Sequence, residues 1–290
     1  MAFLTILIVL GLVQLWGSGA PVQRDNWFLG WTQTVAGIFG PGKLRLVAIV
    51  AGPVLVVLFL QALFDSVLLG LLSLLLFVVV LLYCLGRGDY NESIQDYLGA
   101  WVDGNYESAY ERALAIGDFQ QSDAIADHLS LHDHVRNALT YEGYERWFAV
   151  VFWFLLLGPC GAAGYRLSFM CARNEDLAEE DRQLALRFVH YLDWIPARLL
   201  GLSFFLTGNF VSGVNRCGPR LLDNMPIPEL LDACALAAIS SDTGEQARPS
   251  DPERFVEAGR REIRAVQSLV SRSVVCWIVV IAVLALVGAS

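Results

Sequence analysis

Charge is scarce in this sequence, and what there is leans acidic: 17% of residues are Asp, Glu, Lys or Arg, and 20 basic against 29 acidic residues leave a net charge of −9. A phosphate backbone is bound by a basic face, so this balance argues against a nucleic-acid partner. No polybasic run compensates. Arg260, Arg261 and Arg264 stand beside Glu257 and Glu262 and read as an arginine collar ahead of the last apolar stretch. The six cysteines lack CxxC spacing and lie mostly in or beside apolar segments, where cysteine behaves as a small hydrophobe. There is no GxxxxGK(S/T) loop, no GxGxxG after a strand and no GxSxG elbow, which leaves an ordinary nucleotide enzyme without support. Histidine is rare too. His128 and His132 are one helical turn apart, with His134, Asp127 and Asp133 close by, but without HExxH or a fourth ligand they read as a polar helix face, and no metal is expected.

What the sequence has in abundance is apolar length. Hydrophobic residues make up 56% and the mean hydropathy is +0.51, above an ordinary soluble domain. From Leu44 to Leu85 the run of Leu, Val, Ile and Phe is almost unbroken, relieved only near Gln61 and Asp65. About 18 apolar residues suffice to cross a bilayer as a helix, so this run reads as a transmembrane hairpin. Trp147–Phe169, Trp194–Val211 and Ser273–Gly288 qualify as further spans. Ala2–Trp16 is apolar but short, without a basic leader or a small-residue cleavage pattern. It reads as a retained membrane-associated helix, with a full span as the alternative.

The expected class is therefore an all-α polytopic membrane protein with about five membrane-crossing or re-entrant helices and helical cytoplasmic segments. Six stretches follow: 1–43, an N-terminal membrane-associated helix and linker; 44–85, the hairpin; 86–146, a helical cytoplasmic region; 147–213, a Gly-rich membrane segment and an Asp-Trp-Ile-Pro-Ala-Arg segment; 214–272, a second cytoplasmic region; and 273–290, a C-terminal transmembrane helix. Arginines near span ends put 86–146 and 214–272 on the cytoplasmic side of the membrane. The loop holding Arg173, Arg182 and Arg187 falls on the other side unless the third and fourth segments are re-entrant.

Within 86–146, Ile94, Tyr97, Leu98, Trp101 and Val102 recur at helical spacing. The pattern resumes at Ala109, Tyr110, Ala113 and Leu114 after Gly104 and Asn105, and a third helix is expected over Ser122–Leu139. Within 214–272 a short helix is expected near Glu229–Ile239, then a polar linker over Ser240–Pro249. Ser250 and Glu253 have capping-box spacing, and Phe255, Val256, Gly259, Ile263, Val266 and Val270 lead one continuous helix into the last span.

Polar chemistry concentrates around the glycine-rich span. Gly158-Pro159-Cys160-Gly161-Ala162-Ala163-Gly164 permits close helix approach or an unwound backbone, and Tyr165-Arg166 follows with a charge. Asp193-Trp194-Ile195-Pro196-Ala197-Arg198 then adds an acid and a second arginine. Charges at membrane depth are costly, so Arg166 and Asp193 point to function, with helix-end anchoring as the structural alternative.

Gly-Ala-Ala-Gly-Tyr-Arg at 161–166, Asn174, and Leu-Asp-Trp-Ile-Pro-Ala-Arg-Leu at 192–199 resemble the AmpE proteins and, more distantly, the CobD/CbiB membrane synthases of cobalamin biosynthesis. The first resemblance implies an inner-membrane regulatory protein linked to peptidoglycan recycling and β-lactamase induction, with a cytoplasmic recycling amidase as partner. An anionic cell-wall fragment or a nucleotide would be held by Arg166, Asn174, Asp193 and Arg198, since arginine forks match carboxylate and phosphate, and occupancy would reposition the 87–146 helices. The second implies an amide-forming synthase with Glu142 as acid or base. That pattern is depleted here: Leu139-Thr140-Tyr141-Glu142 keeps one acid, the synthases' Asn-Thr-x-Asp is Asn174-Glu175-Asp176-Leu177, and their late Gly-Gly is Ser240-Ser241. Regulation is therefore the first reading, and a degenerate or retargeted transferase the alternative. A permease is disfavoured by the few spans and the lack of an internal repeat.

Overall fold

The computed structural model describes residues 1–16, 23–64, 70–114, 116, 128–240 and 252–287, with the backbone alone at Trp16, His128, Leu129, Pro252 and Glu253. Among the described residues the regular structure is helical throughout: α1 (Ala2–Trp16), α2 (Asn26–Ile38), α3 (Lys43–Phe64), α4 (Leu71–Cys84), α5 (Tyr90–Val102), α6 (Tyr106–Leu114), α7 (His128–Gly143), α8 (Ala149–Arg173), α9 (Glu179–Thr207), α10 (Phe210–Cys217), α11 (Ile227–Ile239) and α12 (Pro252–Val287). A π-helical turn, Tyr144–Phe148, joins α7 to α8, and a 3-10 turn, Gly218–Leu222, follows α10. Three helical stretches are long and apolar enough to cross a membrane, Lys43–Phe64, Ser130–Arg173 and Arg254–Val287, and α1 and α4 are shorter apolar helices. Outward-facing Leu55, Val56 and Phe59 on α3 are what a lipid solvent requires of a spanning helix. The protein is an all-α membrane protein.

The chain divides into two compact units, Met1–Gly88 with Arg146–Pro196, and Asp89–Glu145 with Ala197–Ser290. In the first, α8 packs on α3 and α4, α1 packs on α4 and α8, and α2 packs on α3. Helix α2 occupies what the sequence presented as linker. Gly30, Thr32, Thr34 and Gly37 give it poor intrinsic propensity, and Asp25 makes no side-chain cap bond. Tertiary contacts hold it instead. The Trp31 indole donates to the Ile49 carbonyl at 3.0 Å, and Asp25 receives Tyr83 Oη at 2.9 Å and the Arg87 guanidinium. Gly52 makes room for Trp31, since a Cβ there would sit 2.6 Å from the ring.

Helix α8 is broken at Gly158 (φ 65°, ψ −155°), just before Pro159, so the glycine-rich segment is unwound at one residue and helical again after it. The hairpin turn at Asp65 lies outside the described residues. After α4 the chain is clamped to the π-turn: Gly86 N–H donates to the Arg146 carbonyl at 3.1 Å, and the Arg146 guanidinium donates to the carbonyls of Arg87 and Gly88. A methyl at Gly86 would fall 2.1 Å from Arg146 Cγ. Gly86→Ala is therefore expected to lower stability by about 1–3 kcal/mol through overpacking, read as a lower melting temperature in mild detergent.

In the second unit α5 starts at an Asp89 cap that accepts from the Asn91 and Glu92 N–H groups. It buries Ile94, Tyr97, Leu98 and Trp101 as the spacing predicts, whereas Val102 is exposed. On α6 the alanines Ala109 and Ala113 are buried, while Tyr110 and Leu114 face outward, because a nine-residue helix presents only one narrow face. Helix α7 is described from His128; the expected start at Ser122 lies outside the described residues, as do the capping box at Ser250 and the linker beyond Ser240. Helix α11 stands where expected, and α12 runs unbroken into the last apolar stretch with Ile263, Val266 and Val270 buried.

Two local features differ from the sequence expectation. Cys217 and Cys234 form a disulfide between α10 and α11, Cα atoms 5.3 Å apart, at a separation of 17 residues that matches no motif; Cys84, Cys160, Cys171 and Cys276 are free. Helix α9 begins well before Trp194 and carries Pro196 inside it, where the missing N–H forfeits one backbone bond without ending the helix.

Candidate functional site

Four of the residues singled out by sequence lie in or next to α8 and α9. Arg166 is buried in the second half of α8, with its guanidinium carbon 5.4 Å from the centre of the Phe169 ring. Asp193 is 1% exposed and receives the Tyr165 hydroxyl at 2.9 Å. In the sequence Tyr165 is marked only by standing next to Arg166. Nothing in a spacing of 28 residues announces a phenol–carboxylate bond, and it is the helix-to-helix packing within the first unit that makes it. Asn174 ends α8: its side-chain oxygen accepts from Asp176 N–H at 3.0 Å and its carbonyl from Leu177 N–H at 3.3 Å, turning the chain toward α9. Its Nδ2 is buried with no hydrogen-bond partner among the described residues.

Arg198 belongs to the second unit, as does Glu142. Arg198 is buried on α9 and donates to the Asp223 carbonyl at 2.9 Å, in the stretch after α10 that the Cys217–Cys234 bond closes. Leu221 from the same stretch packs against Gly201, where a Cβ would meet it at 3.0 Å. Glu142 is half-buried in the last turn of α7, ahead of the π-turn.

Two charged clusters escaped the sequence reading. In the first unit Asp181 is fully buried, accepts from Gly42 N–H at 2.6 Å and pairs with Arg45 at 3.1 Å. Arg45 also donates to the Phe39 and Ala36 carbonyls. In the second unit Arg136 forks onto Asp232 at 2.8 and 2.9 Å and bonds Asp133 at 2.7 Å and Glu262 at 2.5 Å. His132 packs at a tilt against Trp101, ring centroids 5.1 Å apart, with Nε2 3.5 Å from Glu262. Burial opposes the charge of Arg136, but its three carboxylates outweigh it and hold the guanidinium above its usual value. Burial pushes the Glu262 carboxyl up, and the His132 and Arg136 contacts pull it further down, to a net value below the usual carboxylate range. The only sequence signal was that Asp133 and Arg136 stand one turn apart; Asp232 and Glu262 are distant in the chain. Among the described residues no group of three or more His, Cys, Asp or Glu is arranged to hold a metal.

Apolar helices, a broken glycine-rich span and buried ionic groups define a helical membrane protein. The chain belongs to the AmpE family: residues 1–216 match the family described as Regulatory signalling modulator protein AmpE, so it is a regulatory membrane protein. It is 26% identical to Protein AmpE of Shigella flexneri over 219 residues, covering 72% of this chain and 75% of that one. It is also 27% identical over 175 residues to the Cobalamin biosynthesis protein CobD of Chromobacterium violaceum, covering 59% of this chain and 55% of that protein, about half its length. No solved structure matches.

Proposed function

We propose that the chain is an inner-membrane, multi-pass sensor that binds an anionic cell-wall fragment and reports peptidoglycan recycling to β-lactamase induction through a cytoplasmic recycling amidase. The observation that carries this reading is the burial of ionic side chains, Arg166 and Asp193 in one unit and Arg198 in the other, inside the segment matched by the AmpE family. Charge at such depth is costly and functional by default. Arg166 and Arg198 are the proposed anion-binding groups, each in its own unit, with Tyr165 fixing Asp193 and Asn174 setting the turn. The test is mass spectrometry of small molecules that co-purify with the protein in mild detergent. A cell-wall fragment present with wild type and lost in both Arg166→Ala and Arg198→Ala supports the sensor. Its retention in either variant removes that arginine from the proposed anion-binding groups.

The similarity to a cobalamin biosynthesis protein favours a second reading, a retargeted membrane transferase with Glu142 as acid or base. The two diverge on Glu142→Gln. A sensor tolerates that change and loses β-lactamase induction with Arg198→Ala, whereas a transferase loses turnover with either, and a nucleotide or corrinoid co-purifying with the protein points to the enzyme.

A further inference from the structure

In the first unit α3, α8 and the start of α9 line a groove of about 550 Å³ with almost wholly apolar walls. Val50 and Val54 form one wall, Trp153 and Leu157 a second, and Phe188 and Leu192 the third. The floor is made of small residues, and two glycines there behave differently. Gly161 is required by the backbone, because a Cβ would lie 2.2 Å from the Trp153 carbonyl. Gly164 is not: its Cβ would meet nothing closer than Val54 Cγ2 at 3.8 Å. A Cβ at Gly164 thus fits in ordinary van der Waals contact with Val54, and a longer side chain there extends into the groove that Gly164 lines.

The groove has a polar end and a size. Its lining on α3 runs from Lys43 to Val54, about 16 Å of helix at the usual rise, which matches one leaflet of a hydrocarbon core roughly 30 Å thick. Lys43 is the single charged residue in the lining and the only lysine in the sequence. The neighbouring Arg45 and Asp181 neutralise each other. Glu180, exposed beside Gly42, does not line the groove. One ammonium at the mouth of a leaflet-long apolar slot is complementary to a phosphate at the head of a hydrocarbon chain.

We propose that this groove holds one acyl chain of an anionic bilayer phospholipid, with its phosphate at Lys43. The site is separate from the anion-binding groups proposed above and stands without them. Gly164→Leu fills the groove from α8, Ala51→Leu fills it from α3, and Lys43→Gln removes the charge and leaves the slot. The experiment is native mass spectrometry of the full chain equilibrated with equal amounts of phosphatidylglycerol and phosphatidylcholine of identical chains, with melting temperatures as the check on folding. Wild type is expected to retain one phosphatidylglycerol per chain, and folded Gly164→Leu or Ala51→Leu to retain about tenfold less or lower, since chain burial supplies the affinity. Lys43→Gln is expected to keep a lipid but lose the preference between head groups. Undiminished retention in both filled variants overturns the proposal, as does a head-group preference that survives Lys43→Gln. So does a wild-type protein that carries only detergent. If Gly164→Leu alone fails to fold, Ala51→Leu decides.

Discussion

Arg136→Ala is expected to unfold the second unit at temperatures where wild type is intact, lowering its stability by about 3–5 kcal/mol, the range for removing one partner of a buried ion cluster. The side chain bonds Asp133, Asp232 and Glu262 at once, so truncation leaves three carboxylates crowded around a void. Asp232 sits on α11 and Glu262 on α12, so loss of the cation releases both from α7, along with the Trp101 core beneath. Arg136→Lys keeps the charge but cannot fork onto Asp232 while reaching the other two, and should fall between alanine and wild type. Thermal melting in mild detergent, with limited proteolysis to locate the loosened unit, checks both. Acid should do part of the same work. Because the folded value of Glu262 is depressed, its contribution is present above the unfolded carboxyl value of about 4.3 and is lost as pH falls through the lower folded value. Glu262→Gln should flatten that portion of the pH–melting profile.

Asp181→Ala is the second large effect, also about 3–5 kcal/mol, and it falls on the first unit. The carboxylate is fully buried, and without it Arg45 keeps only the Phe39 and Ala36 carbonyls while Gly42 N–H loses its acceptor. The informative control is the double variant Arg45→Met, Asp181→Leu. Replacing both charges with apolar residues is often neutral, so the double variant should melt closer to wild type than Asp181→Ala does. A double variant that is worse than either single change means the pair does more than neutralise itself.

These two clusters show what a sequence reveals and what it hides. The apolar helices α1, α3 and α4 and the end of α12 were legible because continuous apolar length is a local property. The buried face of α5 was legible because its period repeats over thirteen residues. Helix α2 was not, since its glycines and threonines disfavour helix locally and it is held by tertiary contacts, among them Trp31 on α3 and Asp25 on Tyr83 and Arg87. Of the candidate site, the identities were readable and the partnerships were not. Asp193 was visible as an acid next to a membrane segment, but its bond to Tyr165 depends on how two helices meet. Asp181 follows Glu179 and Glu180 with nothing in the sequence to set it apart, yet of the three it alone turns inward. The disulfide likewise joins cysteines whose spacing carries no signature.

Helix α12 is 36 residues without an internal proline, a rod of about 54 Å. Its polar end holds the Arg136 clamp through Glu262, and its far end is an apolar stretch that presents Val279, Val283 and Leu284 outward. Because the helix is continuous, the apolar end and the Glu262 turn share one axis, so a change in the inclination of the one is also a change at the contact of the other with α7.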